Sequence, residues 1–150
     1  MELASTTDPK LLDVLTELRR REPIFHRPEL GTRRADFENM TAEDFWEVGA
    51  SGRRYSRKSV LDALEKRLAH RSSDRAAREG IPSGDGHKTP LEEVWDTTDF
   101  RCQELAADVY LLTYTLRQQG TRITRRSTIW RRAADDWKIV FHQGTVVADP

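Results

Sequence analysis

The sequence predicts an α+β fold: helices first, then a curved antiparallel sheet with the helices packed on one of its faces. Three observations carry that prediction. Apolar residues recur at helical spacing in two stretches of the N-terminal half, Leu11 to Leu18 and Val60 to Leu68. The second half instead runs as segments rich in β-formers, VYLLTYTLR from Val109 to Arg117 being the clearest. Finally, Arg122 to Val147 reads as a hairpin with Trp130 and Trp137 on its two arms.

Each element has a local reason. Asp8 is placed to cap a first helix with Pro9 at its first position. Leu11, Val14, Leu15 and Leu18 form its apolar stripe, and the Arg19-Arg20-Arg21 run followed by Pro23 ends it. The arginine run is read as a solvated helix end. Ile24 to Gly31 is irregular, and Thr32 then caps a short helix from Arg33 to Met40 that buries Phe37 and Met40. Asp44 to Val48 reads as a strand, Gly49 to Gly52 as a tight turn and Arg53 to Tyr55 as the return. Ser56 caps the next helix, which buries Val60, Leu61, Leu64 and Leu68. Arg71 to Pro90 (RSSDRAAREGIPSGDGHKTP) is polar and rich in Ser, Gly and Pro, and is expected to be a long loop with a short helical extension before Gly80. Strands follow in Leu91 to Glu104, Val109 to Arg117, Ile123 to Arg132 and Trp137 to Gln143, with turns at Gln118-Gln119-Gly120 and Ala133 to Asp136.

Composition bounds the partners. At 150 residues the chain makes one domain, 1–150, large enough for a real core. Twenty-five basic and 25 acidic residues cancel, which argues against nucleic acid as the main partner, since phosphate binding draws on excess Lys and Arg. The single Cys102 excludes an intramolecular disulfide and a multi-cysteine zinc site. No cofactor motif is present: there is no Gly-rich phosphate loop, GxSxG or HExxH. The N-terminal stretch lacks a basic region followed by an apolar run, and no apolar run approaches ~20 residues, so a cytoplasmic protein without a membrane partner is expected.

Helices over a curved sheet enclose a cavity, a common location for small-molecule sites. Strict alternation puts Tyr110, Leu112, Tyr114 and Leu116 on one face of their strand, and Thr128, Trp130 and Arg132 on one face of the next. On the last strand it sets Lys138, Val140 and His142 against Trp137, Ile139, Phe141 and Gln143. Register decides which face lines the cavity, and a slip of one exchanges the two. Trp46, Tyr114 and Trp130 are candidate pocket walls, with core packing as the structural alternative. His142, in an otherwise apolar strand, is the candidate catalytic residue, because an imidazole can shuttle protons near neutrality. The alternative is a neutral histidine donating one structural hydrogen bond. His26 is placed to approach the cavity mouth, or else is simply solvated. Among Asp44, Glu47, Asp96, Asp99 and Glu104, a carboxylate inside the cone would have a raised pKa suited to a general base; pairing with Arg53, Arg101 or Arg131 is the structural alternative.

Two stretches carry a family likeness. DFWEVGASGRRYSR, from Asp44 to Arg57, resembles the strand, Gly-turn, strand and helix-cap block of the nuclear-transport-factor-2-like superfamily. Ser127 to Trp130 with Trp137 to Gly144 is similar to its C-terminal hairpin. Within that superfamily the likeness is to a domain-of-unknown-function group neighbouring the ketosteroid-isomerase-like and SnoaL-like families. The resemblance spans Leu11 to Val147 and implies a cone-shaped, cystatin-like sheet wrapped around the N-terminal helices, an internal pocket and a homodimer formed through the sheet. Ketosteroid isomerases use a pocket carboxylate and an oxyanion hole of Tyr and protonated Asp. Tyr114 and Asp99 have the right types, but no motif around them matches, so that chemistry is not carried over; Asp99 is retained as a pocket candidate. Three functions are weighed: a protein binding a small hydrophobic molecule, an isomerase or lyase moving a proton on a hydrophobic carbonyl compound, and a protein-interaction module using the sheet face.

Overall fold

The structure, a computed structural model, describes residues 6–79, 94–119 and 121–148. A 3-10 turn at Pro9–Leu11 leads into α1 (Leu12–Arg19), and the Asp8 side chain accepts from the Lys10 amide as its cap. Helix α2 spans Arg34–Met40, with Asp36 Oδ2 accepting from the amides of Thr32 and Arg33. Strand β1 (Thr41–Val48) and the short β2 (Arg54–Ser56) flank a turn in which Gly52 takes φ +84°, the left-handed region that a glycine enters without steric cost. Ser56 Oγ accepts from the Ser59 amide and starts α3 (Arg57–Glu79). That helix continues to Glu79, which supplies the helical extension expected before Gly80, and the rest of the expected loop, 80–90, lies outside the described residues. Strands β3 (Trp95–Ala106), β4 (Val109–Gln118), β5 (Arg122–Ala133) and β6 (Asp136–Val146) complete the chain. No described helix is long and apolar enough to cross a membrane.

The six strands form one curved sheet in the order β2-β1-β6-β5-β4-β3. All neighbours are antiparallel except β1 and β6, which run parallel. That pairing joins the first strand to the last and is what the local sequence signals do not announce. The core lies between the concave sheet face and the helices: Leu18, Phe37, Val60, Leu61 and Leu64 meet Tyr110, Leu112, Tyr114, Leu116, Trp130, Trp137 and Ile139.

One irregularity sets the chemistry of the concave face. Strict alternation separates His142 from Trp137 and Ile139, yet Trp137, Ile139, His142 and Gly144 are all buried. Ile129 pairs with Phe141 and Trp130 with Ile139, so Val140 is an extra residue opposite nothing on β5. Such a bulge shifts alternation by one. It turns His142 from the outer face to the inner one and sends Phe141 outward.

Candidate functional site

On the concave face, α3 and the β1–β6–β5 end of the sheet enclose a cavity of about 440 Å³. On the side of α3 and residues 24–26, the apolar Ile24, Phe25, Val60, Ala63 and Leu64 line it together with His26 and Arg67. The sheet side carries Glu47, Arg122, Arg126 and His142. Pairing brings the last group together from distant parts of the chain. Glu47 on β1 lies beside His142 on β6, His142 pairs across β5 with Thr128, and Arg126 sits two residues before Thr128 on the same face.

His142 is 5% exposed and is bonded at both ring nitrogens. Nδ1 is 3.3 Å from Glu47 Oε2, and Nε2 is 3.4 Å from Arg126 Nη1. A guanidinium can only donate, so Nε2 is the acceptor and Nδ1 carries the proton that Glu47 accepts. Both contacts are long and therefore weak. The trio has the orientation of a base held by a carboxylate, with its lone pair covered by an arginine. Beside it, the hydroxyl of the fully buried Thr128 has no hydrogen-bond partner.

Deeper in the core lies a second polar group. Glu22 is fully buried, and its carboxylate accepts three hydrogen bonds: from the Ile24 amide at 3.0 Å, the Tyr114 hydroxyl at 2.7 Å and the Trp130 indole at 3.2 Å. The Glu22–Pro23 peptide is cis. Burial first, then the charge of Glu22, pushes the Tyr114 phenol well above its ordinary value, while Arg126 pulls the other way. Tyr114 is thereby kept a donor to Glu22. Arg126 thus borders both groups, facing His142 on one side and lying across from Tyr114 in the β4–β5 pair on the other. A smaller cavity of about 190 Å³ lies beside Trp130 and Trp137.

The expected site residues fall into three places. His142 and His26 line the larger cavity. Tyr114 and Trp130 face inward but are committed to Glu22 and do not line it. Trp46 and Asp99 are elsewhere. Trp46 alternates with the inward Phe45 and Glu47, so it points to the convex face, 44% exposed, with its ring 4.7 Å from that of Phe141. Asp99 sits at φ +59° in a bulge of β3 and is exposed, where its Oδ2 accepts from Thr115 and Arg125. Of the five acidic candidates, only Glu47 reaches the cavity. Burial and then Glu104 push the Cys102 thiol up to about 11, which leaves it a small hydrophobe rather than a nucleophile. Among the described residues no cluster of His, Cys, Asp and Glu could hold a metal ion.

Two important residues, Glu22 and Arg126, escape sequence reasoning. Glu22 follows three arginines and precedes a proline, the pattern of a charged helix end. Arg126 was within reach: extending the Thr128–Trp130 face back by one step of alternation lands on it.

The sequence matches no family model and no curated protein. Solved structures do match. A nuclear-transport-factor-2-like protein of Cytophaga hutchinsonii is 11% identical, covering 94% of this chain and 100% of that one, with a TM-score of 0.59. A protein with unknown function from the DUF3225 family, from Pectobacterium atrosepticum, is 16% identical over 95% and 100%, with a TM-score of 0.55. A cystatin-like fold protein of Burkholderia xenovorans is 14% identical over 93% and 95%, with a TM-score of 0.56. The fold is therefore nuclear-transport-factor-2-like, within the cystatin-like α+β class. At these identities the likeness speaks for the fold alone.

Proposed function

We propose that the protein binds a small organic molecule in the cavity between α3 and the sheet. The observation that carries this reading is the mixed lining of the cavity, largely apolar on the α3 side and polar around Glu47, His142 and Arg126 on the sheet side. A volume of about 440 Å³ falls in the usual range for small-molecule sites, roughly 300–1,000 Å³. A fragment screen by ligand-observed NMR tests it, with Ala63→Trp placed to fill the cavity from α3. Binding should disappear in that variant. Fragments that bind the filled variant equally well would move the site elsewhere.

A second reading, proton transfer on a carbonyl compound by an isomerase or lyase, is favoured by one observation. Glu47 fixes the His142 tautomer so that Nε2 is the nitrogen able to take a proton, provided Arg126 moves off it. Incubating the protein in D2O with a panel of hydrophobic ketones would show exchange beside the carbonyl. Exchange that persists unchanged in His142→Asn would remove His142 from the role.

The assembly we propose is a homodimer through the convex sheet face, supported by the exposed Trp46 against Phe141. Sedimentation of Trp46→Glu should show a monomer where the parent is a dimer. A parent that sediments as a monomer at all concentrations would end this part of the reading.

A further inference from the structure

We infer that the cavity takes a small monocarboxylate with an apolar body, its carboxylate seated on Arg126. The inference rests on the pocket reading above and names the chemistry of its ligand. Arg126 is half-buried, and no carboxylate lies within ion-pair distance of it among the described residues. Other arginines of the chain do have acidic partners: Arg21 pairs with Glu17, and Arg34 with Glu38, Asp62 and Glu65. The contacts of Arg126 are instead to neutral groups: His142 Nε2 at 3.4 Å, Thr124 Oγ1 at 3.4 Å from its Nε, and the Tyr114 hydroxyl. A guanidinium carries five N–H donors in a planar fork. Weak neutral contacts to this one leave its affinity for an anion largely unspent.

The surroundings leave room for that anion. Gly144 is the cross-strand neighbour of Arg126 and lines the same cavity. Its backbone is not in the left-handed region, so the glycine is there for space rather than for conformation. A Cβ added to it would stand 3.8 Å from Arg126 Nε, and any longer side chain would occupy the space beside the guanidinium. Arg122, on the same face of β5, and Arg67 on α3 add further positive charge to the lining. Among the described residues Glu47 is the only acidic one of the lining, and His142 already engages it.

Glu47 also selects among anions. One histidine away from Arg126, it repels a dianion more than a monoanion, which favours a carboxylate over a phosphate monoester. A carboxylate also matches the arginine fork with two parallel hydrogen bonds. Ile24, Val60 and Leu64 then face the body of the ligand and call for an apolar one. Seating the acid on Arg126 takes Nη1 from His142 Nε2 and leaves that nitrogen open toward the ligand.

Isothermal titration of matched probes tests this: hexanoate, hexanamide and hexan-1-ol, then 3-phenylpropanoate and its amide. The acids should bind at least about tenfold more tightly than their amides, a preference of roughly 1.4 kcal/mol. Arg126→Gln should abolish the preference, Arg126→Lys should keep part of it, and Arg125→Gln should leave it unchanged. Thermal melts of each variant separate lost binding from lost folding, and the lysine variant keeps the charge if the glutamine variant is unfolded. Equal binding of acids and amides, blocked by Ala63→Trp, would overturn the monocarboxylate and leave the pocket reading standing. A preference that survives Arg126→Gln overturns Arg126 as its seat. Binding that Ala63→Trp does not affect, or no binding by any probe, overturns both.

Discussion

Two carboxylates on the concave side of one sheet lead different lives. Glu22 is sealed in the core, and three donors from α1's trailing segment, β4 and β5 converge on it. Glu47 stands at a cavity, its side chain partly exposed, with one long contact to His142. A buried carboxylate left without donors costs far more than an exposed one, so the Glu22 contacts hold the fold together. The loose contacts around Glu47, His142 and Arg126 cost little to rearrange, which is what a ligand requires. Partner number and closeness, more than residue type, distinguish a strut from a candidate site here.

The comparison breaks first at Glu22. Glu22→Ala leaves the Tyr114 hydroxyl, the Trp130 indole and the Ile24 amide without their acceptor inside the core. The expected loss is about 3–4 kcal/mol, read from urea unfolding as a lower midpoint with an unchanged slope. A loss under about 1 kcal/mol would mean that solvent reaches these donors and that the cluster is not sealed.

Removing a single donor is milder and adds a pH signature. Tyr114→Phe keeps the ring and deletes the 2.7 Å bond to Glu22, for an expected cost of about 1–2 kcal/mol at neutral pH. The Tyr114 phenol is raised above its ordinary value in the folded protein. A raised group contributes stability that is fully present below its unfolded value, about 10 for tyrosine, and lost as pH climbs through the folded value. The parent should therefore lose stability above about pH 10 more steeply than Tyr114→Phe. Part of the decline remains in the variant, because the Cys102 thiol, pushed up to about 11 from 9.0, acts in the same direction. Alkaline limbs that run parallel in the two proteins would show that Tyr114 is not linked to folding.

These contrasts also mark what the sequence discloses. The helices, the long antiparallel strands and the grouping of Tyr110, Leu112, Tyr114 and Leu116 on one face follow from spacing alone, since each is a local pattern; that this face is the inward one does not. His142 can be singled out as a lone polar ring in an apolar strand. Its neighbours cannot. Glu47 reaches it only because β1 and β6 pair in parallel across some 90 residues of intervening chain. Strict alternation turns His142 away from Trp137 and Ile139, and only the extra residue at Val140 brings it back to their side. A bulge changes no residue type and leaves no mark in the hydrophobic pattern. Trp46 shows the converse: its size suggests a pocket wall, whereas its place between the inward Phe45 and Glu47 sends it to the convex face.

At the other end of the comparison, Glu47→Gln should barely disturb the fold. Its carboxylate is partly exposed and makes one long bond to His142, so the loss should stay within about 0.5–1 kcal/mol. The amide can still present its oxygen to Nδ1–H and keep the tautomer, while removing the negative charge that opposes an anion on Arg126. Anionic probes should therefore bind Glu47→Gln at least as tightly as the parent, even though the protein is no more stable. Melting curves and titrations on the same sample read both quantities. A variant destabilised as much as Glu22→Ala would place Glu47 among the struts, and the distinction between a sealed carboxylate and an open one would fail.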